Sequence, residues 1–350
     1  MLSPLNSSVF KGKTVLVTGH TGFKGSWLSI WLKELGANVV GYALDPHTQE
    51  DIFVTAGLKD KIAVNVIDDI RSLGALHSVT ENYHPEIVFH LAAQPIVRLS
   101  YELPTITYDT NIMGTVNVLE CCRLSNSVKA IVVVTSDKCY QNNEWDWGYR
   151  ENDALGGHDP YSASKACAEL ITASYRDSFL RAQRKNVATV RAGNVIGGGD
   201  WQTDRLVPDC IRALKKGEPI KVRNPQSVRP WQFVLEPLAG YLLVAEKLMR
   251  EDGDKFAGAW NFAPSADTTL TVRDVVERVI ENWGEGKYTA QYDFKPEAKT
   301  LTLDASKARR LLHWKPKLSA SEAIRYTVDW YKSENPDYDF CVKQLHDYIK

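Results

Sequence analysis

Short runs of apolar, mostly β-branched residues recur through the first half of the chain, and segments with helical periodicity separate them. Continuous apolar runs of this kind are typical of strands that are buried on both faces of a parallel sheet. We expect strands at 13–18, 38–44, 63–67, 87–92, 130–135 and 187–191. We expect helices at 23–35, 111–123 and 161–180. This alternation predicts an α/β fold, with a doubly wound parallel sheet and helices on both faces.

The pattern changes after residue 193, where the strands become shorter and the order of elements becomes irregular. Helices are expected at 206–216, 238–249, 272–283 and 319–332, and strands at 220–223 and 259–262. We therefore predict two domains. Residues 1–192 form a Rossmann domain to which 232–264 return, and residues 193–350 form a smaller mixed α/β domain that binds the substrate.

Composition and charge exclude several classes of protein. Of the 350 residues, 44% are apolar and 24% are charged, and the net charge of −1 gives no general attraction to nucleic acid or to anionic membranes. No apolar run approaches the roughly 20 residues that span a bilayer, and residues 1–10 do not resemble a secretory leader. The six cysteines lack metal-ligand spacing. We therefore expect a reduced, cytoplasmic protein with no metal site, no membrane association and no nucleic-acid partner.

A glycine motif follows the first predicted strand and opens the first predicted helix. Gly19, Gly22 and Gly25 have the spacing of a dinucleotide-binding fingerprint. The first glycine allows a tight turn, the second admits the pyrophosphate, and the third allows close packing of helix and strand. The intervening residues expected to contact the same cofactor are Thr21, Phe23 and Lys24.

The ends of the next strands offer further cofactor contacts. Asp45 ends the second strand, where a carboxylate accepts hydrogen bonds from the adenosine ribose and repels a 2′-phosphate, which favours NAD over NADP. The alternative role of Asp45 is that of a turn residue before Pro46. Asp69 and Ile70 are expected beside the adenine ring. Four residues after the fourth strand are expected to pass close to the cofactor, namely Leu91, Ala92, Ala93 and Gln94.

Tyr161 and Lys165 lie four residues apart, on one face of a predicted helix. There the ammonium can lower the pKa of the phenol, which is about 10 when unperturbed, so that the tyrosine becomes a usable base. The spacing alone is also common in amphipathic helices that carry a solvated lysine. It gains weight from a predicted strand that ends in Ser136, Asp137 and Lys138, because ligands of a doubly wound sheet bind at the carboxyl ends of strands.

A phosphate-bearing substrate would need cations. Arg229 is the first candidate because its planar guanidinium suits phosphate, although it is equally well explained as a surface arginine stacked on Trp231. Asn194, Lys221 and Arg223 are weaker candidates, and a solvated charge is the simpler interpretation of Lys221. The remaining residues expected to contact the substrate are Gln94, Ser136, Val207 and Trp231.

Taken together, these motifs resemble those of the extended short-chain dehydrogenase/reductase family. The similarity runs from about residue 11 to about residue 315. Besides the glycine fingerprint, it is carried by Asp69, Ile70, His90, Leu91, Ala92, Ala93, Asn111, Ser136, Tyr161, Lys165, Arg191 and Asn194. The resemblance implies a tightly held NAD that is recycled, with Asn111 and Arg191 among its contacts. It also implies homodimers formed through a helix bundle, with homotetramers as an open alternative.

Within that family the chain is similar to the nucleotide-sugar 4,6-dehydratases that act on CDP-glucose. Segments 22–28, 135–138 and 303–308 carry this similarity. One departure separates the chain from dehydratases of dTDP-glucose, which have Asp-Glu where this chain has Asp137 and Lys138. The resemblance implies that Asp137 is a general acid. Lys138 has two open roles, either as the base at sugar carbon 5 or as a charge that stabilises an enolate.

Other functions remain open from the sequence. A nucleotide-sugar 4-epimerase or a decarboxylase on the same scaffold needs only Ser136, Tyr161 and Lys165, and has no use for an acid beside Ser136. A 4,6-dehydratase for another nucleotide sugar is the second alternative, because physical reasoning does not identify the base. A regulator that senses the dinucleotide through an inactive site is the third, and it would not need these three residues together.

Overall fold

The computed structural model describes residues 7–264, 270–291 and 300–350. Of the first ten residues, to which the expectation about a leader applies, 1–6 lie outside this description. The strands of the described residues are β1 (Thr14–Thr18), β2 (Asn38–Ala43), β3 (Val64–Ile67), β4 (Ile87–His90), β5 (Ala130–Val134), β6 (Asn186–Arg191), β7 (Val195–Ile196), β8 (Ile220–Arg223), β9 (Val228–Arg229), β10 (Gln232–Phe233), β11 (Gly258–Asn261), β12 (Leu270–Thr271) and β13 (Tyr288–Gln291).

Seven parallel strands form the central sheet, in the order β3-β2-β1-β4-β5-β6-β11. The order reverses between β1 and β4, and this switch point is where doubly wound sheets bind their ligands. Thr18 at the end of β1 pairs with His90 at the end of β4, and His90 pairs with Val133 on β5. The segments that follow these three strands therefore leave the sheet side by side at one edge.

Helices cover both faces of this sheet. The α-helices of the described residues are α1 (Phe23–Glu34), α2 (Ile52–Thr55), α3 (Leu58–Lys61), α4 (Leu73–Tyr83), α5 (Val97–Glu102), α6 (Pro104–Tyr108), α7 (Gly114–Leu124), α8 (Pro160–Tyr175), α9 (Leu206–Lys215), α10 (Leu235–Leu248), α11 (Val272–Trp283), α12 (Ser306–Leu311), α13 (Ala320–Lys332) and α14 (Tyr338–Ile349). Successive β1 residues point to opposite faces, so Val15 joins the core beneath α1 and α10 while Leu16 joins the core beneath α4 and α7.

The elements after β6 are smaller and mixed. They form three two-stranded sheets, in which β7 pairs with β10, β8 with β13 and β9 with β12. The last helix, α14, returns to α1, where the rings of Trp31 and Tyr348 meet edge to face and the Tyr338 hydroxyl donates to Glu34 at 2.7 Å. This contact joins the end of the chain to the helix that follows the glycine motif.

The expected α/β fold with a doubly wound parallel sheet is confirmed. The helix expected at 111–123 begins instead with a π-helical segment, Asp109–Met113, before α7, and neither α4 nor α14 was expected. β11 pairs with β6 in the sheet, which is where residues 232–264 were expected to return, while the division at residue 193 stays a prediction. Among the described residues, no helix is both long enough and apolar enough to cross a membrane.

Candidate active site

The glycine turn between β1 and α1 packs closely against the segment after β4. Gly19 has φ +78°, a left-handed conformation that favours glycine, and a Cβ there would lie 2.7 Å from the backbone nitrogen of Ala92. A Cβ on Gly25 would overlap the carbonyl oxygen of Gly19. Both positions therefore require glycine. The turn brings the N-terminus of α1 to the switch point of the sheet, where its first N–H groups suit a pyrophosphate.

The rest of the fingerprint lies beside the end of β2. The Thr21 hydroxyl donates to the carbonyl oxygen of Leu44 at 2.8 Å, which fixes the glycine turn to the chain after β2. Asp45 follows Leu44 and is exposed, and Gly22 is exposed in the turn. Phe23 is half-buried in the first turn of α1. An open helix N-terminus with an exposed carboxylate at the next strand end fits a dinucleotide, since both of its recognition elements are present.

Buried polar groups join β1 to β4 beneath this turn. The Nδ1 atom of His90 lies 2.8 Å from the Thr18 hydroxyl, and its Nε2 atom lies 3.0 Å from the Thr115 hydroxyl. Burial lowers the pKa of His90 to about 3, and the charge of Lys165 acts in the same direction. His90 is therefore neutral and holds the start of the segment after β4. The residues of that segment are half-buried, namely Leu91, Ala92, Ala93 and Gln94.

Gln94 and Asn111, both expected to contact ligands, are bonded to each other and to neighbouring groups. Asn111 accepts from the backbone N–H of Gln94 at 2.8 Å, and its side-chain amide donates to the Gln94 carbonyl oxygen and to Ser164. The side chain of Gln94 donates to Thr107 and accepts from the N–H of Ile96. These bonds position the segment after β4 against α8.

At the end of β3, the Asp69 carboxylate forms two hydrogen bonds with Arg71, at 3.0 and 2.6 Å. These bonds hold the pKa of Asp69 below its usual value. Ile70 is buried, and its carbonyl oxygen accepts from Asn117 at 3.0 Å. The carboxylate is thus engaged by Arg71, and contact with adenine at this position stays a prediction.

Arg191 requires a correction, because the structure places its charge in an internal ion pair and not at a cofactor. Its guanidinium donates two hydrogen bonds to Glu169, each at 2.8 Å, and both side chains are buried. It also donates to the Tyr140 hydroxyl and to the Glu151 carbonyl oxygen. A buried arginine needs such partners. They come from segments far apart in the sequence, so the motif alone did not reveal them.

Ser136, Asp137 and Lys138 form a tight turn directly after β5. The Ser136 hydroxyl accepts from the backbone N–H of Lys138 at 3.2 Å and so caps the short 3₁₀ segment Asp137–Cys139. The same hydroxyl donates to the Asp137 carboxylate at 2.9 Å. Asp137 is 5% exposed, and a Cβ on Gly193 would overlap its carboxylate. Glycine at 193 therefore leaves room for this acid, while Lys138 is half-buried at the surface of the turn.

Tyr161 and Lys165 lie on the first turns of α8, opposite that turn. Asp159 caps the helix by accepting from the N–H of Ser162 at 2.9 Å, and Pro160 occupies the first helical position. Lys165 donates to the carbonyl oxygen of Val134 at 3.3 Å. The lysine is therefore anchored to the end of β5 beside Ser136.

The pKa values of this pair differ from the expectation. Burial raises the pKa of Tyr161 to about 12, while its interaction with Ser136 and the charge of Arg205 act in the opposite direction. Burial also lowers the pKa of Lys165 to about 8, against the charge of Glu169. The protein by itself thus keeps the phenol protonated, because burial outweighs the neighbouring cations, and additional positive charge is needed to ionise it.

The residues expected on the substrate side are spread over several elements. Asn194 has φ +49° in the turn before β7, and Val207 is packed into the main core. Trp231 is buried, and among the described residues its indole N–H has no acceptor. Of the three cations, Arg223 binds Asp204 at 3.2 Å, Lys221 is exposed, and Arg229 donates to the carbonyl oxygen of Val228 at 3.0 Å.

Sequence reasoning missed one charged residue at the site. Arg205 precedes α9 and binds the buried Asp200 at 2.9 Å, and its charge acts on Tyr161. Asp200 is itself fixed by the Tyr331 hydroxyl, which donates to its backbone carbonyl oxygen at 2.5 Å. No motif marks Arg205, although its place directly before an amphipathic helix could have indicated a strand-to-helix junction at the cleft.

Comparisons with known proteins agree with this geometry. The model of the GDP-mannose 4,6 dehydratase family matches residues 16–327. The chain is 47% identical to the CDP-glucose 4,6-dehydratase of Salmonella typhimurium, over 99% of this chain and 98% of that protein. It is 27% identical to the UDP-glucuronate 4-epimerase of Thermodesulfobacterium geofontis, over 75% of this chain and 78% of that protein.

Solved structures share the fold. The dTDP-glucose 4,6-dehydratase DesIV of Streptomyces venezuelae, with NAD and TYD bound, superposes with a TM-score of 0.76 at 24% identity, covering 92% of this chain and 97% of that one. An epimerase of Methanothermobacter thermautotrophicus gives 0.79 at 24% identity, covering 96% of both chains. With the family match extending over most of its length, the chain belongs to the GDP-mannose 4,6 dehydratase family.

Proposed function

We propose that this chain removes water from CDP-D-glucose to give CDP-4-dehydro-6-deoxy-D-glucose, with NAD as a recycled cofactor. One observation carries the proposal: a buried carboxyl group, Asp137, is hydrogen-bonded to Ser136 directly beside the Tyr161 and Lys165 helix. The 47% identity to a CDP-glucose 4,6-dehydratase supports the choice of substrate. The enzyme is thus a hydro-lyase, and its product would supply deoxysugar synthesis of the O-antigen type.

Tyr161 and Ser136 act first, on the 4-hydroxyl of the hexose. Tyr161, once ionised, takes the hydroxyl proton, and Ser136 hydrogen-bonds the same oxygen. NAD, when bound, accepts hydride from carbon 4 and later returns it to carbon 6, and its oxidised ring carries positive charge. Because burial holds the phenol protonated, Lys165 serves the step by keeping a second positive charge at the end of β5.

The new ketone acidifies the proton on carbon 5, and elimination follows. Asp137 protonates the departing 6-hydroxyl as general acid, which requires the carboxyl group to be protonated. Its burial favours that form, and its bond with Ser136 orients it. Lys138 keeps both of its open roles, as the base at carbon 5 or as the charge that stabilises the enolate.

Residues of the glycine turn and the strand ends hold the cofactor in this proposal. Gly19, Gly22 and Gly25 form the pyrophosphate turn, and Asp45 binds the ribose. An exposed acid at that position disfavours a 2′-phosphate, so we propose NAD as the physiological form. The reaction has no net redox change, which allows the same NAD to serve every turnover.

A nucleotide-sugar 4-epimerase is the second candidate, since epimerases share the fold. An epimerase has no step in which an acid beside Ser136 protonates a leaving group. The burial and hydrogen bonding of Asp137 therefore favour dehydration. Assaying CDP-, dTDP-, UDP- and GDP-hexoses by mass spectrometry for loss of water separates the two reactions and identifies the base.

Replacing Asp137 tests the assignment of the acid. Asp137→Asn should lose dehydration by about 10²-fold or more, the contribution of one positioned acid, while oxidation at carbon 4 continues. Reduced cofactor then accumulates and is seen by its near-ultraviolet absorbance. The control is Asp254→Asn, which removes an exposed carboxylate at the opposite edge of the sheet. Full dehydratase activity in Asp137→Asn would show that the acid lies elsewhere.

A further inference from the structure

Lys24 carries a charge that the glycine fingerprint does not explain. It lies in the first turn of α1, one residue before Gly25. Its ammonium interacts electrostatically with Asp137 and Lys165 on one side of the cleft, and with Asp200 and Arg205 on the other. Within residues 7–264, 270–291 and 300–350, it has neither a hydrogen bond nor an ion pair.

The surroundings of Lys24 disfavour a cation. Burial lowers the pKa of Lys24 to about 8, and the charges of Arg205 and Lys165 act in the same direction. The positive end of the α1 dipole adds to this effect. The two nearby carboxylates are engaged, because Asp200 binds Arg205 and Asp137 accepts from Ser136. An unpaired cation in such a place costs stability, which points to an anionic ligand that pairs with it.

Arg205 faces Lys24 from the other side of the cleft. One guanidinium nitrogen donates to Asp200 at 2.9 Å, which fixes the planar group. Its side chain is one-third exposed, so its other N–H groups remain accessible from the cleft. A guanidinium held at one edge and open at another suits bidentate contact with phosphate oxygens.

We propose that Lys24 and Arg205 together form a two-cation site for the diphosphate of a nucleotide bound in the cleft. The diphosphate would relieve the mutual repulsion of the two cations, which no carboxylate between them does. The cations first considered from the sequence are less suitable, because Lys221 is exposed on β8 and Arg223 already binds Asp204. The proposal rests on the proposed function, and the diphosphate has two possible sources, the sugar nucleotide and the dinucleotide cofactor.

Calorimetric titration of the full-length protein distinguishes these sources. CDP and cytidine probe the substrate side, while ADP-ribose and adenosine probe the cofactor side. Lys24→Met keeps the length of the side chain and removes its charge, and Lys24→Arg retains the charge. Lys33→Met, on the last turn of the same helix, is the matched control. We expect Lys24→Met to weaken diphosphate binding on the order of tenfold or more, with nucleoside binding unchanged, and Lys24→Arg to retain most of it.

The outcomes are separable. Weakening of CDP alone assigns the site to the substrate, and weakening of ADP-ribose alone assigns it to the cofactor. Unchanged binding of both ligands by Lys24→Met overturns the proposal. Arg205→Gln, compared with Arg205→Lys, repeats the test if Lys24→Met fails to fold. An error in the proposed substrate appears differently, as an unmodified protein that prefers dTDP, UDP or GDP to CDP, and the titration is then repeated with the preferred nucleotide.

Discussion

The proton on Tyr161 decides whether the first step can occur. Burial raises its pKa to about 12, and Lys165 is anchored to Val134 and does not hydrogen-bond the phenol. The spacing of Tyr161 and Lys165 therefore predicted the right pair of residues, but not how the pair works. The lysine contributes as one of several positive charges at the end of β5, and bound oxidised cofactor adds another.

Replacing Tyr161 should stop turnover, because phenylalanine has no proton acceptor for the 4-hydroxyl. We expect Tyr161→Phe to lower kcat by about 10²-fold or more, as measured by the ultraviolet absorbance of the 4-keto product in alkali. Tyr175→Phe, at the far end of α8, removes a hydroxyl that binds Glu120 at 3.3 Å and should retain activity. Tyr161→Phe with half the original rate would contradict the role given to the phenol.

His90 should make the fold sensitive to acid. Its pKa is about 3 when folded, against about 6.5 when unfolded, so the unfolded state binds the proton first as the pH falls. This contribution to stability is complete above about pH 6.5 and is lost progressively down to about pH 3, by at most ~1.4 kcal/mol per pH unit.

Urea unfolding at pH 7.5 and pH 5 measures this effect. His90→Gln should unfold with a smaller difference between the two pH values than the unmodified protein, because glutamine does not titrate. His313→Gln replaces an exposed histidine and should leave the difference unchanged. The comparison is needed because burial also lowers the pKa of His20. An equal pH dependence in all three proteins would mean that His90 is not the group responsible.

At the scale of elements, the site depends on how closely α1 approaches β1. Gly25 allows that approach, since a Cβ would overlap the Gly19 carbonyl oxygen. Gly25→Ala should therefore displace α1, weaken NAD binding by more than about tenfold, and lower the free energy of unfolding by ~1–3 kcal/mol. Equilibrium dialysis and urea unfolding measure the two effects.

Gly74→Ala is the matched control, because this glycine in α4 has open space around its Cβ position. Alanine favours a helix over glycine by about 1 kcal/mol, so the control should be neutral or stabilised. Cofactor affinity that is the same in both variants would show that the close approach of α1 is not required.

The sequence predicted those elements whose pattern is local. The apolar strands and the glycine turn are encoded within a few residues each, so both were found. The roles of Arg191, Gln94 and Asn111 were not, because their partners are fixed only when distant segments meet: Glu169 pairs with Arg191, Thr107 with Gln94 and Ser164 with Asn111. Side chains that match a family motif can thus be positioning groups, and the motif does not reveal which.

At the scale of the whole molecule, several apolar side chains are exposed along one group of neighbouring helices. They are Tyr101, Met113, Leu124, Leu170 and Phe179, with exposures of 61, 48, 46, 58 and 44%. α8 packs against α6 and α7, so these side chains belong to connected elements. Exposed apolar residues that are scattered singly need no explanation, but a connected group indicates an interface. We propose that this group is the surface through which two copies pair as a homodimer.

Leu170→Glu tests this surface, because a charge buried in an apolar interface without a partner is strongly unfavourable. Size-exclusion chromatography with light scattering should give twice the mass of one chain for the unmodified protein, and one chain for Leu170→Glu. Leu311→Glu places the same charge on α12, at a leucine that is 48% exposed, and should remain a dimer. A single-chain mass for the unmodified protein would refute the interface. Dissociation of both variants would mean that added charge alone separates the subunits, whichever surface carries it.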